Sequence, residues 1–580
     1  MTHHYGPGRA VRSTEARDDT TRYLCAAAHL DKEFANEAIR EFLVEETRPV
    51  PPSAGIDAGA VLGEAVAART RRKLRDIGLI VVLFGMLFVA PLNLLAMWLV
   101  LAIAFSVPAM KEALRKRGLP AKPALYAVGG VVVLALAVII WPEIDELLSD
   151  VSSSFGTRPS YEPASSRAEV IVDIVLTVLG VAALLTVLLA DRLVVWKHLN
   201  ERFWPRQVTA TLARTHNRAL FQYSPDLFLT QLRRFVTPRA TVAAPPPHEP
   251  PVPTHAEPAP LLVYRDYLPF VGAGNPEEPW SIAVPLEQLP DERPSTELTT
   301  DTLYAGIRAE IESLRGAITL SPGQRLRHLD IGERVIVSVD ELIDHLDDPS
   351  SSDFLQYPGV APFTLLRPER VQSIKVEPVE WARYYQCYEI ETWDRDLVVS
   401  VFVHVAVGAG ALYVEWTPCV LRPIKKAYRE IDTMSRSLSR PLMSAVADLL
   451  RLPATIPARF AHTISFIRSA RQHAGVVDPD SYGVATSLRE LAAAQDVDNY
   501  FQFSDIDRYL KMMESRLVLA VSRMMRTAGY SPASFDEQAA TVVNNNVTIG
   551  GSVGGNFVAG VRNKVAERAA PAPDAANRRR

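Results

Sequence analysis

The densest group of side chains able to do chemistry is Asp340–Asp348, DELIDHLDD, with five acids and a histidine in one short run. Carboxylates that converge hold hard divalent cations, which makes Asp340, Asp344 and His345 the candidate metal ligands. On a helix, Asp340 and Asp344 share one face. The competing reading is a solvated helix face that runs into a turn, and Pro349 and the serines after it favour this one. A second group is the loop Phe270–Asn275, FVGAGN. It lacks the G-x-x-x-x-G-K-[ST] spacing and the third glycine of a dinucleotide site, so it reads as a tight turn. His328 with Asp330, and His404, have no nucleophile at a readable spacing, and no G-x-S-x-G, H-E-x-x-H or kinase signature is present. Cys25, Cys387 and Cys419 are too few for a disulfide framework, and with no CxxC and no Cys/His ligand spacing they speak against a structural zinc site. No catalytic residue is nominated, and no cofactor is expected.

The elements that must position these groups divide around an apolar block at 77–196. Its runs are Ile77–Ala109, Ala124–Trp141 and Val170–Trp196. Apolar runs of about 18 or more residues match a bilayer's thickness. Arg69, Arg71, Arg72, Lys73 and Arg75 form a basic collar before the first run, placed to touch anionic headgroups. Lys111, Arg115, Lys116, Arg117 and Lys122 follow that run, and the loop 143–167 is acidic. If positive charge stays inside, the first run crosses an even number of times, with Pro91 and Asn93 at its turn. The expectation is an α-helical transmembrane block of four short crossings at 77–90, 94–109, 124–142 and 170–192, or three with a re-entrant hairpin. Both termini are then cytoplasmic and the protein sits in the plasma membrane. No ionisable residue lies at mid-depth, which speaks for an anchor rather than a pump.

The remaining chain reads as a start without periodicity (1–20), N-terminal helices at 21–76, and a juxtamembrane helical segment at 197–243. A proline-rich linker at 244–260 precedes a cytosolic α+β domain at 261–530. That domain shows an antiparallel sheet signal in YYQCYEIETW, LVVSVFVHVAV and LYVEWTPCVL, with turns at Asp394–Asp396 and Gly408–Gly410. Its C-terminal part is helical, with a continuous apolar stripe from Ile506 to Ala528. A net charge of −4 gives no global attraction to nucleic acid.

The tail at 531–580 carries VVNNNVTIGGSVGGNFVAG at 542–560, read as two short strands around a glycine turn. Asn545, Val547, Ile549, Val553, Asn556 and Phe557 are the candidate self-assembly residues, because Asn side chains ladder along stacked strands. The segment resembles the Asn/Gly-rich amyloid-signalling motifs of bacterial immune-type receptors and effectors, a resemblance that implies templated assembly. The order of parts is similar to uncharacterised multi-pass membrane proteins of high-GC Gram-positive bacteria. The residues that carry this are RYLCAAAHLD at Arg22–Asp31, PFVGAG followed by PWSIAV, VVSVFVHVAV with LYVEW, and DRYLKMMESR before NNNVTIGG. That resemblance implies no activity. The sequence therefore points to a membrane-anchored scaffold or signalling protein with a cytosolic protein partner and self-association. An oligomeric channel and a membrane-tethered enzyme are the alternatives.

Overall fold

β-Branched and aromatic residues dominate 384–421, and long strands form there because such side chains pack on a pleated surface. The computed structural model describes residues 19–45, 47–49, 51, 56–89, 164–203, 257–290, 297–434, 437–465 and 477–545. In chain order, α1 (Asp19–Leu30), α2 (Lys32–Ile39), α3 (Ala58–Val89) and α4 (Ala164–Arg202) come first. Then come β1 (Ala259–Tyr264), β2 (Asn275–Pro276), β3 (Trp280–Pro285), α5 (Thr300–Glu312), β4 (Asp330–Ser338), α6 (Val339–Asp344), β5 (Leu365–Leu366) and α7 (Pro368–Val376). The chain continues through β6 (Ala382–Thr392), β7 (Leu397–Gly408), β8 (Ala411–Leu421), α8 (Lys426–Arg429), α9 (Ser439–Ile464), α10 (Leu488–Ala492), α11 (Tyr500–Thr527) and α12 (Ala533–Asn545).

The eight strands form one sheet in the order β2-β8-β7-β6-β4-β1-β5, with β3 also on β8. β1 and β4 run parallel and the other pairs antiparallel, so the sheet is mixed. β7 is central and buried from Leu397 to Val403. Its apolar run is long because both faces are covered. Ile307 and Ile311 of α5, and Met513, Leu517 and Val521 of α11, lie in the core against β6–β8. The amide of Val405 donates to Tyr304 Oη at 3.0 Å, fixing α5 on the sheet. Phe535 and Ala539 of α12 enter the same core and Val542 packs against it. That spacing of four and three explains why 542–545 are helical and not the start of a strand; Val547, Ile549, Val553, Asn556 and Phe557 lie outside the described residues.

On the other face, the FVGAGN loop folds over Tyr385, Phe402 and Cys419. Gly272 and Gly274 have φ of 94° and 88°, a region open to glycine. Their amides donate to Glu490 Oε1 at 2.8 and 3.0 Å. The other oxygen of Glu490 accepts from the amide of Ser487 at 2.7 Å, closing the capping box of α10. The cradle that a phosphate would use is thus filled by the chain's own carboxylate.

The expected four-crossing block is not what the described residues form. One helix among them, Val178–Arg202 within α4, is long and apolar enough to cross a membrane, by length and composition alone. The multi-pass plasma-membrane reading is corrected accordingly, while the runs 94–109 and 124–142 lie outside the described residues. The physical reason is visible in the first and third runs. Leu79 of α3 and Leu184 and Leu188 of α4 are buried against Ala445 and Leu452 of α9, so part of their apolarity is spent on helix packing. The sheet is mixed rather than antiparallel because β1, whose Val263 is buried in the core, pairs with β4. The N-terminal helices also join the sheet unit: Arg265 contacts Glu41 at 2.9 Å, and Arg48 donates to the Asp480 carbonyl at 2.8 Å.

A Cβ at Gly274 would sit 2.2 Å from the Val420 carbonyl oxygen. Because backbone cannot yield as a side chain can, Gly274→Ala is expected to cost upwards of about 2 kcal/mol. Thermal denaturation of the full chain checks this; an unchanged Tm would contradict the packing described.

Candidate functional site

Asp57 caps α3 by accepting from the Ala60 amide at 3.0 Å. From there the helix places Glu64, Arg71 and Arg75 along one stripe, at spacings of seven and four. α4 places Asp191, His198 and Arg202 along a matching stripe. The two helices run antiparallel, which sets Glu64 opposite His198 and Arg71 and Arg75 opposite Asp191.

At one end of this seam, Glu64 Oε2 accepts from His29 Nε2 at 2.8 Å and from His198 Nε2 at 3.1 Å. Glu64 is 2% exposed and His29 is also buried, while His198 is half-buried. The two imidazole rings stand edge to face at 4.7 Å. Arg71 Nη1 lies 3.2 Å from His29 Nδ1, and Arg202 Nη1 lies 3.7 Å from Glu64 Oε1. The guanidinium can only donate, so His29 Nδ1 accepts and its Nε2 carries the proton given to Glu64. Burial pushes His29 down to about 4, against the opposing pull of Glu64, so the ring is neutral at neutral pH. Burial also opposes ionisation of Glu64, but the hydrogen bonds from His198 and His29 prevail and hold its carboxyl far below the usual range.

Along the seam, Asp191 pairs with Arg71 Nε at 3.0 Å and with Arg75 Nη1 at 3.1 Å. At its other end Asp76 receives Arg459 Nη1 at 2.8 Å and His462 Nδ1 at 2.9 Å, both from α9. Burial works against the charge on Asp76, yet the His462 hydrogen bond and the Arg75 and Arg459 cations hold it at about 2. Arg192 pairs with Asp448 of α9. Arg72, 6% exposed, donates to the carbonyls of Ala28 and His29 at the end of α1, and burial lowers its guanidinium to about 10.

The basic collar is therefore an internal device. Arg69 reaches Asn36, Arg69 and Arg72 are buried, and Arg71 and Arg75 are consumed by carboxylates. Lys73 donates to the Ser465 carbonyl at 2.6 Å. These side chains were expected at a headgroup surface because a sequence shows their charge and not the carboxylates that meet them. The acidic candidates fare differently. Asp340 and Asp344 on α6 are exposed, as is His345, whose Nδ1 lies 2.7 Å from the Glu341 carbonyl and whose ring stacks on Trp381 at 5.8 Å. The two carboxylates and the imidazole are thus solvent-facing. Among the described residues, His29, Glu64 and His198 form the group with ligand atoms close enough to hold a metal ion, all within 4.8 Å of one another. Sequence reasoning missed it because the three residues are separated by 35 and 134 positions, far from any compact ligand motif. The only signal available was His29 inside a small-residue helix face, CAAAH.

His29 faces Glu64, Arg71 and His198. Since it is neutral in the fold and charges near 6.5 when unfolded, the unfolded state binds more protons between about pH 6.5 and 4. Stability is therefore expected to fall with falling pH across that window, by at most about 3 kcal/mol. Denaturant unfolding at pH 7.0, 5.5 and 4.5 checks the slope. His29→Asn, which keeps a donor but not the titration, should flatten it; an unchanged slope would contradict this assignment.

Residues 279–558, just under half of the chain, match the family model of the AbeC-like domain. The match begins at β3 and excludes α1–α4, and with them His29, Glu64 and His198. Comparison with curated proteins and with solved structures yields no match.

Proposed function

We propose that the chain is a scaffold or signalling protein, with α9 as its protein-interaction surface. The observation that carries this is that α9 is apolar on two faces and uses one of them. Pro441, Ala445 and Leu452 are turned inward, Ala445 and Leu452 against α3 and α4. Leu438, Leu442, Val446 and Leu450 follow at every fourth position and are exposed, together with Met443 at 68%. A helix in water pairs one apolar stripe with a polar face, and a second contiguous stripe marks an interaction site. Arg440 and Arg451 are exposed beside it. An apolar centre with a charged rim is the layout of a protein–protein interface. The neighbouring polar groups do not supply a competing chemistry, because Arg192, Asp448, Arg459 and His462 are occupied in ion pairs between helices.

A photo-activatable residue at Met443 in the full chain, expressed in its own cell type, is expected to cross-link to a discrete polypeptide, either another protein or a second copy. Val446→Glu should reduce the yield by at least about tenfold, in line with the loss of a central apolar contact, while leaving the circular dichroism spectrum unchanged. Cross-links to lipid alone, or none, would overturn the reading.

A further inference from the structure

We propose that His29, Glu64 and His198 bind a divalent transition-metal ion of the zinc class, which pins α1 to the α3–α4 pair. The three donor atoms come from three helices and converge on one point: both imidazole Nε2 atoms reach the same Glu64 oxygen, at 2.8 and 3.1 Å. Two imidazoles and a carboxylate, all within 4.8 Å, are the protein donors of many zinc sites, with a further position left for a water. Zinc-class ions take neutral imidazole and ionised carboxylate, which are the states that the surroundings of His29 and Glu64 favour. Nitrogen donors also select borderline ions over calcium or magnesium.

The site is built rather than incidental. Glu64 and His29 are buried, and Arg202 approaches the second Glu64 oxygen. Arg71 sets the main cost. In the metal-bound form His29 presents its Nε2 lone pair to the ion, so its proton moves to Nδ1, now 3.2 Å from Arg71 Nη1. Arg71 then has to leave Nδ1 and rest on Asp191, which it already contacts through Nε at 3.0 Å. Metal and Arg71 therefore compete for His29. No proton is gained or lost by this exchange; it moves between the two ring nitrogens. The position is separate from the α9 surface, and its occupation depends on nothing proposed for that surface.

The test uses the full chain stripped with a chelator and then given zinc chloride, followed by gel filtration and elemental analysis. Because His3 and His4 stand near the N-terminus, His3→Ala/His4→Ala serves as the background. About one zinc per chain should remain, and thermal unfolding should shift upward with zinc concentration. His198→Asn, at the half-buried position, should weaken binding at least about tenfold with the fold kept. Cobalt in place of zinc should give the visible absorption of a low-coordinate N/O site. Stoichiometry near zero in the background chain, or equal zinc retention in a His29→Asn/His198→Asn double variant, would overturn the proposal.

Discussion

Asp191 with Arg71 and Arg75 is the interaction on which the rest of the helical part depends. A buried carboxylate on one long helix faces two guanidinium groups on another. Removing one partner of such a set leaves an uncompensated buried charge, at a cost of about 3–5 kcal/mol, whereas replacing the whole set by apolar residues is often neutral. Its contribution is accordingly to register more than to net stability. Sliding α3 by one turn against α4 would strand Glu64, Arg71, Arg75 and Asp191 together. The register then fixes its neighbours: Arg72 lies against the end of α1, and Asp76 meets Arg459 and His462 of α9. Glu490 plays a comparable part in the sheet unit, where one carboxylate satisfies the amides of Gly272, Gly274 and Ser487 at once.

What the sequence disclosed followed from period and turn chemistry. β6, β7 and β8 lie where β-branched and aromatic segments bounded by turns placed them, and the β7–β8 turn has Ala409 and Gly410 at φ of 51° and 76°, as a two-residue hairpin loop demands. α11 fills the predicted stripe and is capped by Asn499, whose side chain accepts from the Gln502 amide. α9 was harder to read. Pro453 and Pro457 are residues that ordinarily interrupt a helix, yet this one continues through both, packed from the side by α3 and α4. Tertiary partners also decided the fate of the apolar runs. Ile77–Val89 continues the helix that contains the collar, so charge and apolarity that read as two functional zones belong to one packed rod. The histidine–glutamate group depended on three helices meeting, and nothing local encodes that.

The described part of α3 and α4 inverts the usual arrangement of a helix pair in water. The charges of its seam, among them Glu64, Arg71, Arg75, Asp76, Asp191 and Arg202, are turned inward and paired, while Lys197 and Glu201 stay exposed. Its large apolar residues Phe84, Leu87, Phe88, Val178 and Leu179 are exposed, Phe88 by 74%. Exposed apolar surface forgoes about 25 cal/mol for each Å² that could have been buried, and a fold gains nothing locally from placing it there. The stripe on α9 adjoins this pair and repeats the pattern. The polar seam beneath ties the three helices together independently of that surface. Rigidity established before contact lowers the ordering cost of association. The inversion thus has a physical logic: charge holds the helices in register, and their outward apolar residues take no part in that pairing.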